Sequence, residues 1–167
     1  MSATALTKGH KNLETARVLL LLTIGIVILA EASCTQHQSA ECKEFFAKTP
    51  EEREKVFGTL ELDKQLRIYR CGMYKRPPMI GLAFAIAEGG EKVIPDLISA
   101  LRNEKDEWMQ SAIIDIFRAM SIRVSFRGKP VIDEIRMTIS KMKVTRIKEE
   151  AQGTLNEIEK NSAKSGT

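Results

Sequence analysis

Three cysteines carry most of the chemical capacity of this chain: Cys34, Cys42 and Cys71. None belongs to a Cys-x-x-Cys pair, and His10 and His37 both precede the part of the chain patterned to fold, so no redox pair or metal site is written here. In an oxidising compartment Cys42 and Cys71 can join, leaving Cys34 odd; in a reducing one they are buried thiols. A second cluster is cationic. Residues 116–132 contain no acid, while Arg118, Arg123, Arg127 and Lys129 are present. Gathered on one loop, such cations raise the local potential and suit an acidic protein surface, a phospholipid headgroup or a phosphorylated sugar. The competing reading, which the residues favour, is a solvated connector with Val124 and Phe126 tucked onto the core. Catalysis has little to build on. The region patterned to fold has no histidine, no Gly-rich phosphate loop and no hydrolase motif, and its carboxylates sit mostly at helix starts and turns. The expectation is a non-enzymatic protein without a cofactor.

The compartment is read from residues 18–30, an uncharged apolar run with Lys8, Lys11 and Arg17 before it and Glu31 after it. A helix crossing a bilayer needs about 20 apolar residues and a secretory core about 7 to 15, so the run fits a signal peptide. Ala30-Glu31-Ala32 has the small-x-small form a signal peptidase accepts. That places the signal peptide at residues 1–32, cut after Ala32, with an uncut signal anchor as the alternative. Ala32, Ser33 and Cys34 resemble the end of a bacterial lipobox, although Glu31 stands where that motif has an aliphatic residue. The resemblance implies lipid on Cys34, which would account for the odd cysteine. Thr35 lacks the Asp that resembles an inner-membrane retention signal, so the implied address is the periplasm, with an outer-membrane anchor if lipidated. Residues 33–40 then form a polar tether.

The elements that must position these groups are helical. Hydrophobic residues make up 43% of the 167-residue chain and aromatics only 5%, with Leu, Ile, Ala, Glu, Lys and Arg abundant, which favours helix over sheet. The net charge of +4, without interleaved aromatics, gives no case for nucleic acid. Thr49-Pro50-Glu51-Glu52 reads as a helix start with a capping box. Cys42, Phe45 and Phe46 share one side of a short helix before it, and Leu62, Leu66, Tyr69 and Met73 form a stripe on a later one. Cys71 falls off that stripe, near Ile68, so the Cys42 helix is expected to pack there and bring the two cysteines together. The segment from Pro77 to Gly90 is apolar on nearly every side and is expected to lie at the centre, ended by Gly89-Gly90. Val93, Ile94, Leu97, Ile98 and Leu101 share one face of the next helix, with Pro95 in its first turn. Trp108, Ala112, Ile113, Ile116, Phe117 and Met120 share the face of another, Trp108 as packing.

The stretch "GGEKVIPDLISALRNEKDEWMQSAIIDIF" resembles a HEAT-like repeat: an Ile-Pro-x-Leu opening, a charged turn and an Ala-containing second helix. A weaker copy, "KPVIDEIRMTISKMKVTRIKEEAQGTLNEIEK", follows at an offset of about 38 residues, setting Ile132, Ile135 and Ile139 against Ile94, Leu97 and Leu101. Its second helix carries Ile147, Ala151, Leu155 and Ile158. The Leu62 helix and the segment after Pro78 would make a degenerate first pair, and the long join at residues 121–129 departs from a tight turn. The resemblance implies an all-α fold, a short stack of antiparallel helix pairs over residues 41–160, a HEAT-like solenoid or an irregular bundle, with a disordered tail at residues 161–167. It also implies a protein-binding scaffold or adaptor of the bacterial envelope. The alternative is a soluble periplasmic accessory or anion-binding protein using the loop from Arg123 to Lys129.

Overall fold

The computed structural model describes residues 39–123 and 129–164. Cys34, the expected signal peptide and nearly all of the tether lie outside the described residues, as do residues 124–128 and 165–167. Within them the chain is all-helical: α1 (Ala40–Ala47), α2 (Pro50–Phe57), α3 (Leu62–Met73), α4 (Gly81–Ala87), a 3-10 turn (Gly90–Val93), α5 (Ile94–Asn103), α6 (Glu107–Arg123), α7 (Lys129–Lys141) and α8 (Thr145–Lys164). The last helix corrects one boundary. Residues 161–164, expected in the tail, are helical, and Asn161 Nδ2 donates to Ser121 Oγ at 3.2 Å, tying that end to α6.

Local chemistry sets the ends. Thr49 Oγ1 accepts the Glu52 N–H while the Glu52 carboxylate accepts the Thr49 N–H, and Pro50 opens α2 where its missing N–H costs nothing. Such a cap contributes about 1 kcal/mol. After α4 the chain must turn sharply into α5. Gly90 sits at φ +62°, where a side chain strains the backbone, and a Cβ on Gly89 would stand 2.6 Å from Val93 Cγ1, so the Val93 side chain would have to shift.

Helices pack as pairs: α3 with α4, α5 with α6, α7 with α8. Helix α6 lies between α4 and α8, and α5 lies beside α7, so successive pairs stack. The last two pairs bury equivalent positions. Leu97 and Leu101 of α5 match Ile135 and Ile139 of α7, while Ala112 and Ile116 of α6 match Ala151 and Leu155 of α8, all buried. Ion pairs join neighbours along one side, Arg70 Nη1 to Glu104 Oε2 at 2.7 Å and Arg102 Nη2 to Glu134 Oε2 at 2.5 Å. Their exposed guanidiniums keep each contribution small.

The centre is not the segment expected. Helix α4 buries Ala83, Ile86 and Ala87 but leaves Leu82, Phe84 and Ala85 half-buried. It is α6 that is enclosed: no residue between 107 and 121 is exposed, and Ile114, Ile116, Phe117 and Met120 are wholly buried. Tyr69 of α3 is also wholly buried, its hydroxyl donating to the Ala112 carbonyl at 3.0 Å, and burial raises its pKa above the usual phenol value. On the other side of α3, Ile68 is buried beside Phe45 and Leu60, which places α1 where the second apolar face of α3 calls for it.

Candidate functional site

The Cys42–Cys71 disulfide is present, with Cα atoms 6.3 Å apart and a sequence separation of 29. It fixes α1 on α3. Cys42 is buried beside Phe45, whose ring centroid lies 5.7 Å from that of Phe57.

Of the four cationic residues singled out in the sequence, Arg118 and Lys129 have described side chains, and each pairs with a carboxylate. Arg118 is half-buried on α6, its Nε 3.1 Å from Asp115 Oδ1 and its Nη1 3.7 Å from Glu157 Oε2. Burial raises the Asp115 pKa above the usual carboxylate value, opposed by Arg118. Lys129 opens α7 with an exposed side chain, and its Nζ lies 3.0 Å from Asp133 Oδ2, which lowers the Asp133 pKa. Arg123 is the last residue of α6; its side chain and all of Arg127 lie outside the described residues. Asp115 and Asp133 stand just outside the acid-free stretch on the same helices as Arg118 and Lys129, and Glu157 reaches Arg118 from α8. Trp108 is half-buried against the core, as packing requires.

A polar cluster joins the end of α3 to the start of α6. Arg70 bridges Glu104, Tyr74 Oη donates to Asp106, Glu104 Oε1 accepts the Lys105 and Asp106 N–H groups, and Asp106 Oδ1 accepts the Trp108 N–H. Burial, and then the bond to Asp106, push the Tyr74 pKa up to about 12. Tyr74 is therefore a donor and not a base, and the cluster caps α6. Among the described residues no group of three or more His, Cys, Asp or Glu side chains is placed to hold a metal, and no helix is long and apolar enough to cross a membrane.

Among the described residues two cavities stand out. One, about 360 Å³, lies between α5 and α7 and is lined by Leu101, Arg102, Glu134, Met137, Thr138 and Lys141. Its buried carboxylate, Glu134, already accepts from Arg102, which holds its pKa down. The other, about 340 Å³, opens between α2 and α4, with Pro50, Arg53 and Phe57 facing Met79, Leu82 and Ala85. Here a polar group is left over: Arg53 Nε is shielded from solvent and has no hydrogen-bond partner, while Nη1 lies 3.7 Å from Met79 Sδ. Sequence reasoning missed Arg53. The available signal was the all-round apolarity of the segment after Pro77, which demands cover on a side that α6 does not reach.

No family model, no curated protein and no solved structure matches this chain.

Proposed function

We propose that this chain is a non-enzymatic protein-binding scaffold or adaptor of the bacterial envelope, exported behind its N-terminal signal and tethered through lipid on Cys34. The stacking of three helix pairs carries this reading, because such stacks present long ridges suited to protein contacts, as the HEAT-like resemblance implies. The Cys42–Cys71 bond supports export, since structural disulfides persist in oxidising compartments, and it leaves Cys34 as the thiol for acylation. The anion-binding alternative rests on the loop from Arg123 to Lys129, most of which lies outside the described residues; Lys129 itself pairs with Asp133.

Intact mass of the protein recovered from envelopes tests the address. A chain beginning at Cys34 with added acyl mass, and a deficit of about 2 Da that reductant removes, is the expected result. An unprocessed chain in the cytosol with three free thiols would refute the reading.

A further inference from the structure

We propose that the loop joining α3 to α4, residues 75–80, rests on an anionic phospholipid surface, with Lys75 and Arg76 at the phosphates and Ile80 among the upper acyl carbons. The inference rests on the reading of a lipid tether at Cys34 and names the part of the fold that the tether brings to the bilayer.

The first argument is reach. Six peptide links join Cys34 to Ala40 and span at most about 22 Å. Cys42 is bonded to Cys71 across 6.3 Å between Cα atoms, and Gly72 follows, so Gly72 stands within about 16 Å of Ala40. Helix α8 is two pairs farther along the stack, about 20 Å at 8 to 10 Å per layer, so the tether favours the end beside α1.

The second argument is charge. Around α1, Lys48 pairs with Glu44, and Lys64 and Arg67 pair with Glu41, while α2 exposes Glu51, Glu52 and Glu54. Lys75 and Arg76 are exposed, and no carboxylate among the described residues pairs with either; the Lys75 ammonium lies over the Phe46 ring, 4.7 Å from its centroid. Cations placed so are drawn to an anionic leaflet, where the α2 glutamates are repelled.

The third is the apolar side chain among those cations. Ile80 is 51% exposed, although Met79 and Leu82 on either side are drawn in against Gly72. The loop has a fixed form, because the Lys75 and Met79 N–H groups both donate to the Gly72 carbonyl at 3.1 Å and leave Arg76 and Pro77 exposed between them. Cations beside an exposed apolar side chain are the combination that holds a protein at a bilayer interface. Glu54 and Glu88 line the groove behind Met79 and Gly81, so the contact stops at the loop.

The test uses the full chain recovered from envelopes and placed in vesicles of phosphatidylcholine with or without phosphatidylglycerol. Acetylation of Lys75, read by mass spectrometry against the exposed Lys160 of α8, should slow several-fold on the anionic vesicles and recover as salt is raised. In a Trp108→Phe background, the Ile80→Trp variant should lose emission to brominated acyl chains and the Arg146→Trp variant should not. Lys75→Ala/Arg76→Ala should lower the docked fraction of the loop on the order of tenfold. Equal acetylation of Lys75 on the two vesicle types, or equal quenching of the two Trp variants, would overturn the proposal. So would protection of Lys75 by a co-purifying protein in detergent, which assigns the loop to that protein. The acetylation arm uses the unmodified chain, so a misfolded variant leaves the decision intact. Intact mass separates the two levels: acyl mass on Cys34 with Lys75 unprotected removes the loop contact and leaves the tether, whereas a chain without acyl mass removes both.

Discussion

Reducing the Cys42–Cys71 bond should cost the folded chain a large part of its stability, and the amount can be worked from the separation of 29 residues between its ends. Closing a loop of that length in the unfolded chain removes about 12 cal/mol/K, or about 3.6 kcal/mol near room temperature. The native side changes little, because the Cys42 thiol released is a small hydrophobe in an already apolar site beside Phe45. Against a typical total of about 5 to 15 kcal/mol this is a substantial fraction. For a helical unit of this size it corresponds to a fall in Tm of roughly 10 to 15 °C. Urea unfolding of the oxidised and reduced chain, with the Cys42→Ala/Cys71→Ala double variant as control, measures it. The reduced chain should also show a larger m-value, since its unfolded state expands further. A loss below about 1 kcal/mol would refute the argument, because the constraint on the unfolded chain would then be absent or offset by strain in the fold.

Tyr69→Phe should cost about 1 kcal/mol in urea unfolding, the net worth of the buried hydroxyl's bond to the Ala112 carbonyl. Leu155→Ala should cost about 2 to 5 kcal/mol and still give one transition, since α8 shares the core of α6; a separate early transition would show the last pair folding by itself. The Glu107 carboxylate accepts the Lys143 and Val144 N–H groups at 2.8 and 2.9 Å, and these hold its pKa below the ordinary 4.5. The folded state therefore binds fewer protons than the unfolded one through that range, so this contribution is present above pH 4.5 and is lost as pH falls through the folded pKa. The Tm gap between the natural chain and Glu107→Gln should narrow on acidification, and a constant gap would contradict the sign.

Much of the fold is legible in the sequence because helix faces and caps are local. The Thr49 box, the Leu97/Leu101 stripe and the Ala151/Leu155/Ile158 stripe need only spacings of three and four residues. The Cys42–Cys71 contact was legible too, since Cys71 and Ile68 mark the face of α3 opposite its main stripe. Centrality was not. The greasier α4 lies toward an edge, while α6, which carries Ser111, Asp115, Arg118 and Ser121, is enclosed, because layer order depends on which helices flank a segment and not on its own composition. The candidate sites show the same limit. Arg118 looked available until Glu157 arrived from another helix, and Arg53, which its own sequence neighbours do not single out, lies against Met79, 26 residues later.

The enclosure of α6 also governs how this molecule can be opened. Its backbone amides meet water only when α4 or α8 lifts away, so hydrogen exchange there reports the stability of the whole stack and should be the slowest in the chain. A spectroscopic label placed along its middle turns would displace packing on any side, whereas the outer surface of α8 tolerates one.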